Sequence, residues 1–393
     1  MTVRLHRDRP TPLSATLGLR PRLGRKSIWL KRLGLIAGLG IGVAGVSSLL
    51  APAQNQLGQT LAASGVRPAL AAVPEFQADC RAAPAPLQRR IDEIARSFDG
   101  KVGIAVVKAG CKWEVGARAH ELFPQQSVSK LWVSLAVLDA VERGQLKLDR
   151  DVLIQPNDLT LFNQPLRGEV LEKGRAVRSV HSLMSAALSH SDNTANDRLL
   201  WTVGGPNVVR KVLRERGISE IRFGPGERLL QSRIAGLTWS QDMALGRNFE
   251  QARARLPKDV RQAALDRYVA DPMDGASPAG IAKAMARLAS GQLLAPETTT
   301  VMVDILSRTK SGPMRLKAGV PAGWKVYHKT GTGQELGKVT TGYNDVGFLQ
   351  SPDGAFYGVA VMIARTTQDY KPRMEMMQSV SRAVAEFHEA SAR

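Results

Sequence analysis

The sequence has no internal repeat and no low-complexity tract, which excludes a repeat array, and nothing after its first stretch has the composition of a disordered chain. Cysteine is almost missing. Cys80 and Cys111 are the only two in 393 residues, so the chain has room for one disulfide at most. Histidine is also sparse, and His6, His120, His181, His190, His328 and His388 show no ligand spacing such as His-x-His. Zinc chemistry is therefore set aside, and no metal or cofactor is expected. Basic residues are plentiful but scattered, without the clustering of a nucleic-acid footprint, so no nucleic-acid partner is expected.

What is present is 44% apolar and 23% charged residues, enough to bury a core in one sizeable domain with a non-globular terminus. The net charge is +19, of which nine Lys and Arg residues against Asp8 contribute +8 before residue 54, leaving +11 for the rest. Such a surface serves solubility, or attracts an anionic polymer such as lipid headgroups or an acidic cell-wall component. The basic start runs into an apolar stretch from Leu33 to Val46, then Ser47-Ser48-Leu49-Leu50 and the small-x-small triplet Ala51-Pro52-Ala53. That order reads as an export signal over 1–53, with Ala69-Leu70-Ala71 as a second cleavage option and a membrane anchor as the alternative if neither is cut. A periplasmic or secreted protein is expected. A linker over 54–85 follows.

From residue 86 the pattern becomes regular. A first helix spans about Pro86–Phe98, and two strands, Lys101–Val107 and Lys112–Gly116, flank a Gly-containing turn that carries Cys111. A helix packed antiparallel to the strand after it brings its start near that strand's far end, which gives a geometric motive for a Cys80–Cys111 disulfide. Two free thiols are the alternative. From Ser127 to Arg143 the chain is apolar nearly all round and stops at Gly144, as in a buried central helix. Further helices fall around Ser182–Ser189, Asn196–Val203, Val208–Glu215, Ile281–Ser290 and Pro372–Glu389. Late strands fall at Gly323–Lys329, Asp345–Gln350 and Phe356–Ile363. Strands at both chain ends with helices between them predict an α/β (α+β) fold, an antiparallel sheet against a helical region.

Three short runs carry chemistry. In Ser127-Val128-Ser129-Lys130 the hydroxyl and the amine leave one face of a helix's first turn. A serine becomes a nucleophile when a neighbouring base takes its proton, and a desolvated lysine can be that base. Ser191-Asp192-Asn193 lies between two helices, and Lys329-Thr330-Gly331-Thr332-Gly333 ends a strand. Each run alone is weak. Their common occurrence in this order is the signature of class A β-lactamases and penicillin-binding proteins.

From about residue 86 to 390 the sequence resembles the class A β-lactamase family. The resemblance implies a five-stranded antiparallel sheet against a helical subdomain, with the pocket between them. It implies acylation of Ser127, proton removal by Lys130, and proton delivery to the leaving nitrogen by Ser191. Asn193 would hold the substrate's side-chain amide, and Lys329, Thr330, Gly331 and Thr332 its carboxylate, while backbone N–H groups of Ser127 and Thr332 would form an oxyanion hole. Asp192 reads as structural.

Release of the acyl group needs a carboxylate that activates water. The family places it in a segment of the type Arg-Leu-Asp-Arg-x-Glu-Pro-Glu-Leu-Asn, and this chain has Arg222-Phe223-Gly224-Pro225-Gly226-Glu227-Arg228-Leu229-Leu230-Gln231. Glu227 is assigned as that base and Gln231, in place of the family's asparagine, as the amide that orients the water. Pro225, Gly226 and Arg228 depart from the pattern. So does an inserted stretch at about 232–278, which is either a lid over the pocket or a surface helix pair. For the arginine that often clamps the substrate carboxylate, Lys338 and Arg365 are the nearby candidates. The expected activity is hydrolysis of penicillins or cephalosporins by a monomer, with peptidoglycan as a further partner. The alternatives are a D-alanyl peptidase or other amidohydrolase, and a slowly deacylating penicillin sensor.

Overall fold

The computed structural model describes Cys80 and residues 82–391, so the export segment and nearly all of the linker lie outside the described residues. The described part begins with helix α1 (Ala85–Ser97), strands β1 (Lys101–Lys108) and β2 (Glu114–Ala117), and the two-residue strand β3 (Phe123–Pro124). A 3₁₀ turn over Gln126–Ser129 leads into helix α2 (Lys130–Glu142). Strand β4 (Asp151–Ile154), helix α3 (Arg167–Lys173) and strand β5 (Ala176–Ser179) precede helices α4 (Val180–Ser189), α5 (Asn193–Thr202) and α6 (Pro206–Glu215). Next come helices α7 (Glu227–Ile234), α8 (Asn248–Arg255) and α9 (Lys258–Ala270), strand β6 (Gly275–Ala276), and helices α10 (Pro278–Ala289) and α11 (Pro296–Ser307). Strands β7 (Lys325–Gly331), β8 (Glu335–Leu336), β9 (Val339–Gln350) and β10 (Phe356–Thr366) lead to helix α12 (Tyr370–Ser391).

The main sheet has the order β2-β1-β10-β9-β7, every pair antiparallel, with β8 paired onto β9. Its centre joins the two ends of the domain, with Lys101 opposite Arg365 and Lys108 opposite Tyr357. Both faces are covered, which explains why these strands read as apolar runs. Along β1, Val102, Ile104 and Val106 point into a cluster with α1 and α12, whereas Ala105 and Val107 point into the larger core beneath the other helices. Helix α10 lies so close on β10 that a Cβ at Gly358 would meet the Ala282 carbonyl oxygen at 2.0 Å, so only glycine fits there.

Helix α2 runs through the larger core and buries Leu131, Trp132, Val133, Leu135, Ala136, Val137 and Leu138. Full burial of the Leu and Val side chains among them is worth about 1.5–3 kcal/mol each, which fixes this helix firmly. Ahead of it, the expected single helix from Ser127 is instead a 3₁₀ turn followed by the α-helix. Cys80 and Cys111 form a disulfide, Cα to Cα 4.8 Å, tying the chain before α1 to the β1–β2 turn.

Candidate active site

A cavity of about 500 Å³ opens between the sheet and the helical part, lined among others by Ser127, Ser191, Asn193, Gln231, Thr330 and Thr332. The 3₁₀ turn has three residues per turn, so the side chains of Ser127 and Lys130 eclipse. Lys130 Nζ accordingly lies 2.7 Å from Ser127 Oγ. The same amine reaches Asn193 Oδ1 at 2.5 Å, Ser191 O at 3.2 Å, Ser191 Oγ at 3.3 Å and Glu227 Oε1 at 3.3 Å. The side chain of Lys130 is 0% exposed and that of Glu227 3%, so the amine and the carboxyl are buried against each other.

Ser191 adopts a left-handed backbone (φ 58°), as do Gln126 beside the nucleophile (φ 54°) and Phe162 on the rim (φ 60°). Strained backbone gathers where side chains must be aimed. Ser191 Oγ sits between two lysines, since Lys329 Nζ donates to it at 3.0 Å and to the Thr330 carbonyl at 2.8 Å. Burial, reinforced by the charges of Lys130 and Arg315, holds the Lys329 ammonium well below the ordinary lysine range. Asp192 caps α5, accepting the Ala195 N–H at 2.9 Å and the Leu166 N–H at 2.9 Å, which accounts for its structural reading. Asn193 is fixed at both ends of its amide, donating to the Leu161 carbonyl at 2.8 Å and accepting from Lys130.

Strand β7 brings Lys329, Thr330 and Gly331 to the pocket. A Cβ at Gly331 would stand 2.4 Å from the Gln125 carbonyl oxygen, so glycine lets the strand pack directly on the nucleophile's approach. An arginine from before the strand, Arg315, lines the cavity. Arg315 donates to the Gly331 carbonyl at 3.1 Å, the Asn344 carbonyl at 2.6 Å and Thr332 Oγ1 at 2.8 Å, and stacks 3.8 Å over the Tyr343 ring. Arg365 pairs with Asp266, and neither it nor Lys338 lines the cavity. No sequence signal marks Arg315, because it reaches the pocket from a loop between α11 and β7.

Glu227 opens helix α7 after Gly226 (φ 98°). Its N–H donates to Asp197 Oδ1 at 2.9 Å, and Arg228 Nε stands 3.9 Å from Asp197 Oδ2. Asp197 is buried, and burial, reinforced by the Glu227 charge, pushes its carboxyl up to about 6. Gln231, one turn after Glu227, donates through Nε2 to Glu227 Oε2 at 3.2 Å and to Gln126 Oε1 at 2.9 Å. Gln334 covers Gln231 from the sheet side, donating to its carbonyl at 2.8 Å.

A serine lining the cavity beside a buried lysine and a buried glutamate, in a cleft between an antiparallel sheet and a helical half, defines a protein of the class A β-lactamase type. The family model described as the beta-lactamase enzyme family matches residues 86–388. A β-lactamase of Mycobacterium tuberculosis is 29% identical over 325 residues, covering 82% of this chain and 90% of that protein. One of Citrobacter koseri is 26% identical over 303 residues, with 77% and 88% covered. Among solved structures, an ancestral class A β-lactamase superposes with a TM-score of 0.61 at 28% identity, covering 77% of this chain and 99% of that one. A class A representative from Bacteroides cellulosilyticus superposes at 0.63 and 22%, with 78% and 98% covered. The chain belongs to the class A β-lactamase family.

Proposed function

We propose that this protein hydrolyses the lactam amide of penicillins and cephalosporins through an acyl-enzyme on Ser127. The observation that carries this reading is the row Ser127 Oγ, Lys130 Nζ, Glu227 Oε1, with steps of 2.7 and 3.3 Å, running from the cavity wall into the interior. Ser127 Oγ attacks the lactam carbonyl carbon and gives its proton to Lys130. Backbone N–H groups of Ser127 and Thr332 polarise the carbonyl. As the carbon–nitrogen bond breaks, Ser191 hands its own proton to the nitrogen and is reprotonated from the neighbouring lysines. In the second half a water loses a proton to Glu227 and attacks the ester, and the departing Ser127 Oγ takes a proton back. Lys329, Thr330, Thr332 and Arg315 hold the substrate carboxylate, with Arg315 in the role sought at Lys338 or Arg365. Asn193 keeps one amide hydrogen for the acyl side chain. The Cys80–Cys111 disulfide supports export to an oxidising compartment.

Intact mass spectrometry of the protein mixed with a penicillin, run beside a hydrolysis assay, tests this reading. Turnover is expected in the wild type, with no adduct and a rate loss of roughly 10⁴-fold or more in Ser127→Ala. A stable adduct without turnover would mark a penicillin sensor, and neither adduct nor turnover would end the proposal.

A further inference from the structure

The segment at about 232–278 carries an unexpected connection to the pocket. Helix α9 buries the Tyr268 ring against Leu230, Ile234 and Leu265, so this part of the insertion belongs to neither a loose lid nor a purely superficial helix pair. The Tyr268 hydroxyl donates to Asp274 Oδ2 at 3.2 Å and accepts from Gln126 Nε2 at 2.6 Å. Asp274 Oδ2 also takes the Gln126 N–H at 2.8 Å, and the Asp274 carbonyl takes Gln125 Nε2 at 2.6 Å. With its nitrogen committed to Tyr268, the Gln126 amide must present Oε1 to Gln231 Nε2, at 2.9 Å. That leaves the second hydrogen of Gln231 Nε2 for Glu227 Oε2. The other carboxylate oxygen of Glu227, Oε1, faces Lys130 Nζ at 3.3 Å.

The geometry points to Tyr268 as a positioning residue for Glu227, acting through the amides of Gln126 and Gln231. The inference rests on the acyl-enzyme reading given above. Each link is buried, and each fixes the sense of the next: a tyrosine held by a carboxylate sets one amide, that amide sets the second, and the second pins one carboxylate oxygen. Removal of the Tyr268 hydroxyl frees the Gln126 amide to turn over. A turned amide points its nitrogen at the nitrogen of Gln231, so Gln231 must let go and Glu227 loses its anchor. Ser127 and Lys130 bond each other directly, and the Gln126 backbone before them stays held by Asp274 when the Tyr268 hydroxyl goes. The effect therefore falls on release of the acyl group and spares its formation.

Tyr268→Phe in the full chain, assayed with a chromogenic cephalosporin, is the test. The ring keeps its slot and only the hydroxyl goes. A displaced catalytic group costs about 10- to 100-fold. When the second of two covalent steps becomes limiting, kcat and KM fall by the same factor. A kcat lower by about 10-fold or more, an unchanged kcat/KM and an acyl adduct visible by mass are expected. Ala264→Gly, which loosens α9 without touching these contacts, is the control for lost stability and should keep the wild-type kcat and KM. An unchanged kcat in Tyr268→Phe, a loss confined to kcat/KM, or the same paired fall in Ala264→Gly would each overturn the role of Tyr268. Those results leave the acyl-enzyme reading standing, whereas a wild type that neither turns over nor is acylated removes that reading and this inference together.

Discussion

The groups around Ser127 and those around Glu227 meet in one cavity but rest on different supports. Ser127 and Lys130 lead into a helix sunk in the main core, Ser191 sits between two buried helices, and Lys329 lies in a strand covered on both faces. Glu227 opens an eight-residue helix entered through a glycine. Much of its apolar backing is a small cluster of Leu230, Ile234, Leu265 and Tyr268, and two of those four come from the inserted α9. The attacking half is thus built into the fold, while the releasing half is built onto it. Changes in the added part can tune release of an acyl group without disturbing the group that receives it.

Three substitutions sharpen or break that contrast. The largest effect is expected from Glu227→Gln, which keeps the shape of the side chain but removes the base. Turnover should fall by about 10²- to 10⁴-fold while acylation of Ser127 survives, as read by rapid-quench mass spectrometry. Loss of acylation to the same degree would mean the two halves are not separable. Arg315→Ala comes next and addresses the attacking side. A hydrogen bond to a charged group is worth about 1.5–3 kcal/mol, so KM for a carboxylate-bearing substrate should rise about 10- to 100-fold with little change in kcat. An unchanged KM would take Arg315 out of substrate binding and leave it as a brace for Gly331 and Asn344.

The smallest effect concerns stability of the releasing half. The Asp197 carboxyl is pushed from its ordinary value of 3.8 up to about 6, so between about pH 4 and pH 6 the folded state holds a proton that the unfolded state has lost. Its contribution to stability is therefore present at low pH and is lost as pH rises through about 6, amounting to about 3 kcal/mol at most. Asp197→Asn should melt with the wild type near pH 4 and above it near pH 7, in thermal scans at each pH. A melting difference that does not vary with pH would show that the buried carboxylate costs nothing when charged.

The attacking half was legible in the sequence because its geometry is local. Ser127 and Lys130 are three residues apart on one turn, and Lys329, Thr330 and Gly331 are consecutive in a strand. Glu227 could be placed because it sits in a contiguous segment, Arg222–Gln231, that resembles the family's. Arg315 could not, because the side chain reaches Thr332 across a fold-back that leaves no periodic trace. Tyr268 was hidden for a similar reason: in a helix rich in charge, nothing marks one tyrosine as buried beneath the nucleophile's approach. Among the elements, α11 escaped notice because its Thr298, Thr299 and Thr300 run suits a strand as well as a helix. The first half of β9 was missed because Gly342 and Asn344 look like a turn.

The pairing of β1 with β10 also sets the timing of assembly. Strand β1 is among the first parts of the domain to be synthesised, and its central partner is among the last. While the intervening chain is made, β1 has only β2 beside it, and a two-stranded ribbon in water is marginal. Contacts so distant in sequence form slowly and late. The site shares that delay, because Lys329 and Arg315 reach it only with the final third of the chain. Neither the main sheet nor the pocket can be complete before the last strands are made, so the two are finished together.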